Sequence, residues 1–386
     1  MANSHTRAKT QEKVEAESEP RSTASSDYGK GALRQGGGDS LNGVDPEVAV
    51  RLMRQMLLFR RFEERAEEAY AIGKIGGFCH LHIGQEGSAA GTVGALHQDD
   101  YVIGTYREHT QALAKGMSPN AVMAELYGRV GGCSRGRGGS MHLFDAEKYF
   151  LGGAGIVAGQ VPTATGVGFA IRYRGEKRVV LCLLGEAALN QGAFHEALNF
   201  AAIWKLPVIY AVENNVYGMG TAFYRVSRTH VDDRALAYGI PCHVVNGQDV
   251  LSTYTLFRRL ADEVRHGSGP HYVEIRTYRF KGHSMSDPVS GTYRSKEEVE
   301  QRTEEEDPIR ILKERCFAAG VMDQEELEGM DAEVRKQIDG AAQFADSSPA
   351  PDPVNLYDYV YAQTSQHGRL FLDGRDDAPG DGGAEA

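Results

Sequence analysis

The 386-residue sequence has no excess of positive charge: 42 Lys and Arg stand against 53 Asp and Glu, a net charge of −11. That balance gives no reason to expect nucleic acid or an anionic membrane surface as a partner. No apolar run approaches the ~18 residues needed to span a bilayer, so no membrane association is expected. The five cysteines, Cys79, Cys133, Cys182, Cys242 and Cys316, are odd in number and lack CxxC spacing. Neither a disulfide framework nor a zinc site is suggested, and a reducing compartment fits. The leading segment lacks the basic amphipathic pattern of an organelle transit peptide, because Glu12, Glu15, Glu17 and Glu19 interrupt it, and a cytoplasmic location is the expectation. The glycine-rich stretch Gly131–Gly139 lacks the GxxxxGK[ST] spacing of a phosphate-binding loop and is read as a structural loop. No internal repeat is present.

What remains is a chain with 41% hydrophobic residues, enough for the core of one large α/β domain. Residues 1–44, rich in Ser, Gly, Gln and charge, are expected to form a disordered arm, and the acidic, glycine-rich segment 366–386 a flexible tail. Between them, 45–365 is expected to be one domain. It opens at Asp45-Pro46, a cap followed by a residue suited to the first helical turn, with Val50, Met53, Leu57 and Leu58 as the apolar stripe. Further expectations are a helix from Asp249 to His266, a strand from His271 to Phe280, and a loop over Lys281–Arg294. Helices then begin at Ser295, where Ser295 and Glu298 form a capping-box pattern, after Pro308 and after Asp323.

Two stretches carry the chemistry. The run Val179–Leu184 has no polar alternation, which suits a strand buried on both faces in a parallel sheet, and it stops at Gly185-Glu186-Ala187-Ala188-Leu189-Asn190. Helical spacing follows over Ala193–Trp204, and then a second apolar run, Val208–Val212, stops at Glu213-Asn214-Asn215-Val216-Tyr217-Gly218-Met219-Gly220. Strand, helix and strand make a βαβ unit, in which ligands gather beyond the carboxyl ends of the strands. There stand the Glu186 carboxylate and the Asn215 amide, oxygen donors of the kind Mg²⁺ takes, with a helix amino end near Gln191-Gly192 offering N–H groups to a diphosphate.

This pairing resembles the thiamine diphosphate motif, Gly-Asp-Gly after one strand and Asn-Asn after the next. Over residues 45–345 the chain resembles the alpha chain of the thiamine-dependent decarboxylase component of 2-oxo acid dehydrogenase complexes, particularly the pyruvate enzyme. The matching segments include Gly77-Phe78-Cys79-His80-Leu81-His82-Ile83-Gly84-Gln85-Glu86, Tyr106-Arg107-Glu108-His109, Gly131–His142, Gly155-Ile156-Val157 and Tyr278–Pro288. The resemblance implies a doubly wound α/β fold with a mainly parallel sheet flanked by helices, and thiamine diphosphate and Mg²⁺ as cofactors. It also implies an α₂β₂ assembly with a beta subunit that supplies the other half of the site. The reaction implied is oxidative decarboxylation of pyruvate, with the acetyl group passed to the lipoyl domain of the dihydrolipoyl acetyltransferase.

Residue by residue, the resemblance places Tyr106 and Arg107 on the diphosphate, and Gly155 and Val157 at the aminopyrimidine ring. Glu186, Ala187, Ala188 and Asn190 belong to the cofactor loop, and Glu186, Asn215 and the Tyr217 carbonyl to the metal. As candidate catalytic groups, His80 lines the active-site cavity and His283 lies near the diphosphate and the reacting carbon, and Arg279 orders the loop or binds phosphate. Met141-His142 borders the cavity entrance, and Ser284 matches a position that kinases modify in animal relatives.

The chain departs from Gly-Asp-Gly at Glu186, longer by a methylene than aspartate, and at Ala187, which is expected to keep a negative φ because a left-handed alanine costs about 1–2 kcal/mol. Glu186 leaves a branched-chain substrate open, and the glycine-rich segment leaves acetoin open. Both departures leave open a non-catalytic assembly subunit with a degenerate metal site.

Overall fold

The structure, a computed structural model, describes residues 40–356. The expected flexible tail 366–386 and residues 1–39 of the expected arm lie outside the described residues. Packing starts earlier than Asp45: Leu41 and Val44 are buried, and the Ser40 carbonyl accepts from Arg315 Nε at 2.7 Å.

In chain order, the first helix is α1 (Pro46–Ala71), capped as expected by Asp45, whose side chain accepts from the Glu47 N–H. There follow α2 (Glu86–Gly94), β1 (Tyr101–Thr105), α3 (His109–Ala114), α4 (Pro119–Leu126), β2 (Phe150–Ala154) and α5 (Gln160–Arg174). The predicted βαβ unit is β3 (Val180–Gly185), a short 3-10 turn over Glu186–Asn190, α6 (Gly192–Ile203) and β4 (Val208–Asn214). A two-residue hairpin, β5 (Tyr217–Gly218) with β6 (Thr221–Ala222), leads to β7 (Cys242–Asn246), α7 (Val250–Arg265) and β8 (His271–Arg276). Three helices close the described chain: α8 (Lys296–Glu305), α9 (Pro308–Ala318) and α10 (Gln324–Ser347).

Six strands form one all-parallel sheet in the order β2-β1-β3-β4-β8-β7. The unbroken apolar runs follow from burial on both faces. Leu181, Leu183, Ile209, Ala211, Val273 and Ile275 point into one core with α1, α2, α7 and the final helices. Val180, Cys182, Leu184, Val208, Tyr210, Val212 and Tyr272 point into a second core with α5 and α6. Each such aliphatic side chain contributes about 1.5–3 kcal/mol by leaving water, which is why period-2 polarity is missing. The architecture is the doubly wound α/β fold expected.

Two local expectations need correction. The last strand stops at Arg276 rather than Phe280: the Thr277 N–H makes the final bond across to β4, to the Asn214 carbonyl at 3.0 Å, and its hydroxyl donates to Gln248 Oε1 at 2.9 Å. At α8 only half of the capping box forms. Ser295 accepts from the Glu298 N–H, but the Glu298 carboxylate is drawn away by the Tyr278 hydroxyl at 2.8 Å and the Tyr217 hydroxyl at 3.3 Å. The reciprocal box occurs instead at α10, between Asp323 and Glu326.

Candidate active site

All six main strands run the same way, so the segments after them meet at one edge of the sheet. Tyr106 and Arg107 follow β1, Gly155 follows β2, Glu186 follows β3, Asn215 follows β4, and Arg279 and His283 lie beyond β8. They surround a solvent-open cleft of about 440 Å³ lined by Gln85, Thr105, Tyr106, Arg107, Gly185, Glu186, Ala187, Glu213, Asn215, Tyr217, Gly218, Met219, Arg279 and His283.

Eight residues singled out from sequence therefore share one cavity: Tyr106, Arg107, Glu186, Ala187, Asn215, Tyr217, Arg279 and His283. His80 stands against two of them, its ring centroid 4.4 Å from Tyr106 and 5.2 Å from His283. The others sit apart. Ala188 is buried in the second core. The Asn190 amide is engaged outside the cleft, accepting from Arg234 at 2.8 Å and donating to the Val226 carbonyl at 3.2 Å. Gly155 packs beneath His142 and Met141, where a Cβ would come within 3.1 Å of each, and the following Ile156 and Val157 are exposed.

Electrostatically the cleft is a cationic recess with two carboxylates in its floor. Arg107 donates to the carbonyls of Leu81 at 2.5 Å and His283 at 2.7 Å. Arg279, 1% exposed, donates from Nε to Asn215 Oδ1 at 3.2 Å and from Nη2 to the carbonyls of Tyr217 and Met219 at 3.3 and 3.4 Å. Neither guanidinium lies within 4 Å of a carboxylate oxygen among the described residues. Burial and the neighbouring Arg279 push Arg107 down to about 10. Burial also lowers His283 to about 4 and His80 to about 2, with Arg107 as the next cause in both, so both imidazoles are neutral at neutral pH.

The two carboxylates differ. Burial raises the Glu186 carboxyl, against its own backbone N–H, Arg279 and the Asn215 backbone N–H. Burial would raise Glu213 too, but His82, Ser88 and Arg107 outweigh it and hold it below the usual range. The Ser88 hydroxyl donates to Glu213 at 2.6 Å, and His82 Nε2 lies 3.1 Å away.

Backbone geometry sharpens the floor. Ala187 lies within the 3-10 turn and is not among the positive-φ residues, in agreement with the expected negative φ. The strain falls on Val216, φ 75°, and Met219, φ 56°. A left-handed β-branched residue is rare and costly. Here it lets the chain reverse so that the Asn215 amide and the Tyr217 carbonyl meet the same guanidinium.

Gln85, Thr105, Glu213, Gly218 and Met219 line the cleft without a role assigned from sequence. For Glu213 a signal was present: a carboxylate closing an otherwise apolar buried strand has to be paired or functional.

The donor set suits a metal–diphosphate group. Carboxylate, amide and carbonyl oxygens are what a hard cation takes. Gln85 Nε2, Arg279 Nη1 and His80 Nδ1 are buried without a hydrogen-bond partner, an uncommon state for polar atoms that a phosphate-bearing ligand would relieve.

The family model described as "Dehydrogenase E1 component" matches residues 54–354. The pyruvate dehydrogenase E1 component subunit alpha of Rhizobium meliloti (strain 1021) is 47% identical over 343 residues, 88% of this chain and 98% of the relative. The subunit of the same name from Zymomonas mobilis subsp. mobilis is 47% identical over 316 residues, 81% of this chain and 88% of the relative. The testis-specific mitochondrial form from Rattus norvegicus is 43% identical over 317 residues, 82% of this chain and 80% of the relative. The chain belongs to the dehydrogenase E1 component family.

Proposed function

We propose that this chain is the alpha subunit of a pyruvate dehydrogenase, acting with a beta subunit in an α₂β₂ assembly and passing acetyl groups to the lipoyl domain of a dihydrolipoyl acetyltransferase. Thiamine diphosphate and Mg²⁺ are its cofactors. One observation carries the reading: two buried guanidinium groups without carboxylate partners converge with oxygen donors on a cleft at the carboxyl edge of a parallel sheet. Such a recess favours a polyanion carried with a metal ion.

When bound, the thiazolium ring supplies the electron sink for decarboxylation. The chain's own residues do the rest. Arg107 and Arg279 hold the diphosphate, with donors that pair with phosphate oxygens. The Glu186 and Asn215 side chains and the Tyr217 carbonyl hold the metal. His80 and His283, neutral near neutrality, face the substrate end and can accept or return a proton there. Tilted and edge-to-face contacts with Tyr106, for His80 and His283 respectively, help fix the ring orientations. No helix among the described residues is long and apolar enough to cross a membrane, and a cytoplasmic location suits the assembly.

The test is decarboxylation by the chain co-expressed with its beta subunit, offered pyruvate or 3-methyl-2-oxobutanoate with thiamine diphosphate and Mg²⁺. Pyruvate is expected to be preferred. Preference for the branched acid would make Glu186 the better guide to substrate class. No turnover by a cofactor-supplied tetramer would leave the chain an assembly subunit.

A further inference from the structure

Arg279 is the largest of the fully buried side chains, and its hydrogen bonds are unusual for a buried cation. It meets no carboxylate within 4 Å among the described residues. It holds neutral oxygens instead, and two of them, Asn215 Oδ1 and the Tyr217 carbonyl, are oxygens assigned above to the metal. The distances, 3.2 and 3.3 Å, lie at the long end for N–H···O bonds, so the grip is weak and exchangeable. The remaining nitrogen, Nη1, is buried without a partner. Gln85 fixes the other end of the amide, its Oε1 accepting from Asn215 Nδ2 at 3.3 Å.

A guanidinium and a divalent ion on the same oxygens weaken one another: each draws electron density from the acceptor, and the two repel as like charges in a recess where repulsion is poorly screened. Arg107 lines the same cleft and adds a second fixed positive charge. A bare Mg²⁺ therefore meets two buried cations, and of its three assigned ligands only the Glu186 carboxylate is not held by Arg279. The same ion arriving with a diphosphate brings the negative charge that both arginines lack, and offers Arg279 a charged acceptor better than a neutral carbonyl.

We propose that Arg279 is a placeholder for the metal: it gathers Asn215 and the Tyr217 carbonyl in the cofactor-free chain and yields them when the metal arrives with the diphosphate, turning onto a phosphate oxygen. This rests on the metal–diphosphate reading of the cleft and adds an order to it, in which metal binding is conditional on the cofactor. Arg279 is on this view a positioning residue that suppresses metal binding in the empty site and anchors phosphate in the filled one.

The experiment uses the full chain assembled with its beta subunit and Mn²⁺ as a paramagnetic probe, with bound ion counted by electron paramagnetic resonance with and without thiamine diphosphate. Wild type is expected to bind Mn²⁺ weakly alone and tightly with the cofactor. In Arg279→Met the oxygens are released and one charge is gone, so Mn²⁺ alone should bind at least tenfold more tightly while the diphosphate binds less tightly. Arg279→Lys keeps the charge but cannot span both oxygens. It should tighten Mn²⁺ alone at least threefold, and it serves as the test if the methionine variant does not assemble. Unchanged or weaker binding of Mn²⁺ alone in these variants, with normal binding of the pair to wild type, overturns the placeholder role alone. Failure of wild type to bind Mn²⁺ even with the cofactor overturns the metal-site reading and the placeholder with it.

Discussion

Ala187 and Gly218 face each other across the floor of the cleft, and a Cβ on Gly218 would stand 2.6 Å from the Ala187 methyl. The alanine that replaces a family glycine is thus accommodated by a glycine on the opposing hairpin. Gly218→Ala should cost about 1–3 kcal/mol of stability through overpacking, and Ala187→Gly in the same chain should restore most of it. Thermal unfolding of the two single variants and the double variant measures the coupling, and additive losses would refute the contact. The histidines make a second residue-level prediction. Both His283 and His80 have folded values below the unfolded ~6.5, so the unfolded chain takes up their protons first. Their contribution is present above pH ~6.5 and is lost as pH falls toward about 4 for His283 and about 2 for His80. Denaturant midpoints measured from pH 7 to pH 4.5 should fall less steeply in His283→Gln than in wild type. Equal slopes would show that His283 is not buried as described.

At the scale of elements, the glycine-rich loop 131–139 is organised around one side chain. The buried Glu125 on α4 accepts N–H bonds from Ser134 at 2.8 Å, Gly136 at 2.9 Å, Gly138 at 2.7 Å and Gly139 at 3.1 Å. Glu125→Ala strands these donors and should cost roughly 3 kcal/mol or more, with fast hydrogen exchange confined at first to amides 134–139. Unaltered exchange there would disprove the anchoring. Sequence reasoning read this loop as structural but had no means of finding its anchor, since backbone N–H groups leave no pattern in residue types. The long elements were legible because burial on both faces of β3 and β4 demands unbroken apolar runs, and Asp45, Asp249 and Asp323 cap helices where their types require it. The Ser295–Glu298 pattern placed the helix start correctly but not the reciprocal bond, because capping is local and two tyrosine hydroxyls brought by other elements offered Glu298 better partners. In the cleft, residues beside the strand ends were found by their types. The His82–Glu213 pair was not, for its partners are distant in sequence and meet only through the fold.

Taken as a whole, the described molecule leaves an apolar band uncovered on α5 and α6. Phe169, Tyr173, Phe200, Ile203 and Trp204 are all substantially exposed, and their rings lie against one another, Phe200 and Trp204 stacked with centroids 5.0 Å apart. With the subunit partnership proposed above, this band is expected to be covered in the assembly. Trp204 is the single tryptophan of the sequence, so its emission in this chain should shift to the blue and resist acrylamide quenching when a tryptophan-free beta subunit is added. Unchanged emission in an assembled tetramer would place the interface elsewhere. The loop around Glu125 has a consequence at this scale as well. Four backbone donors in a concave turn would ordinarily make a trap for any small oxyanion, but here the chain supplies its own. Inorganic phosphate in a buffer therefore finds that nest already filled, and any inhibition it causes can be read as competition at the two arginines.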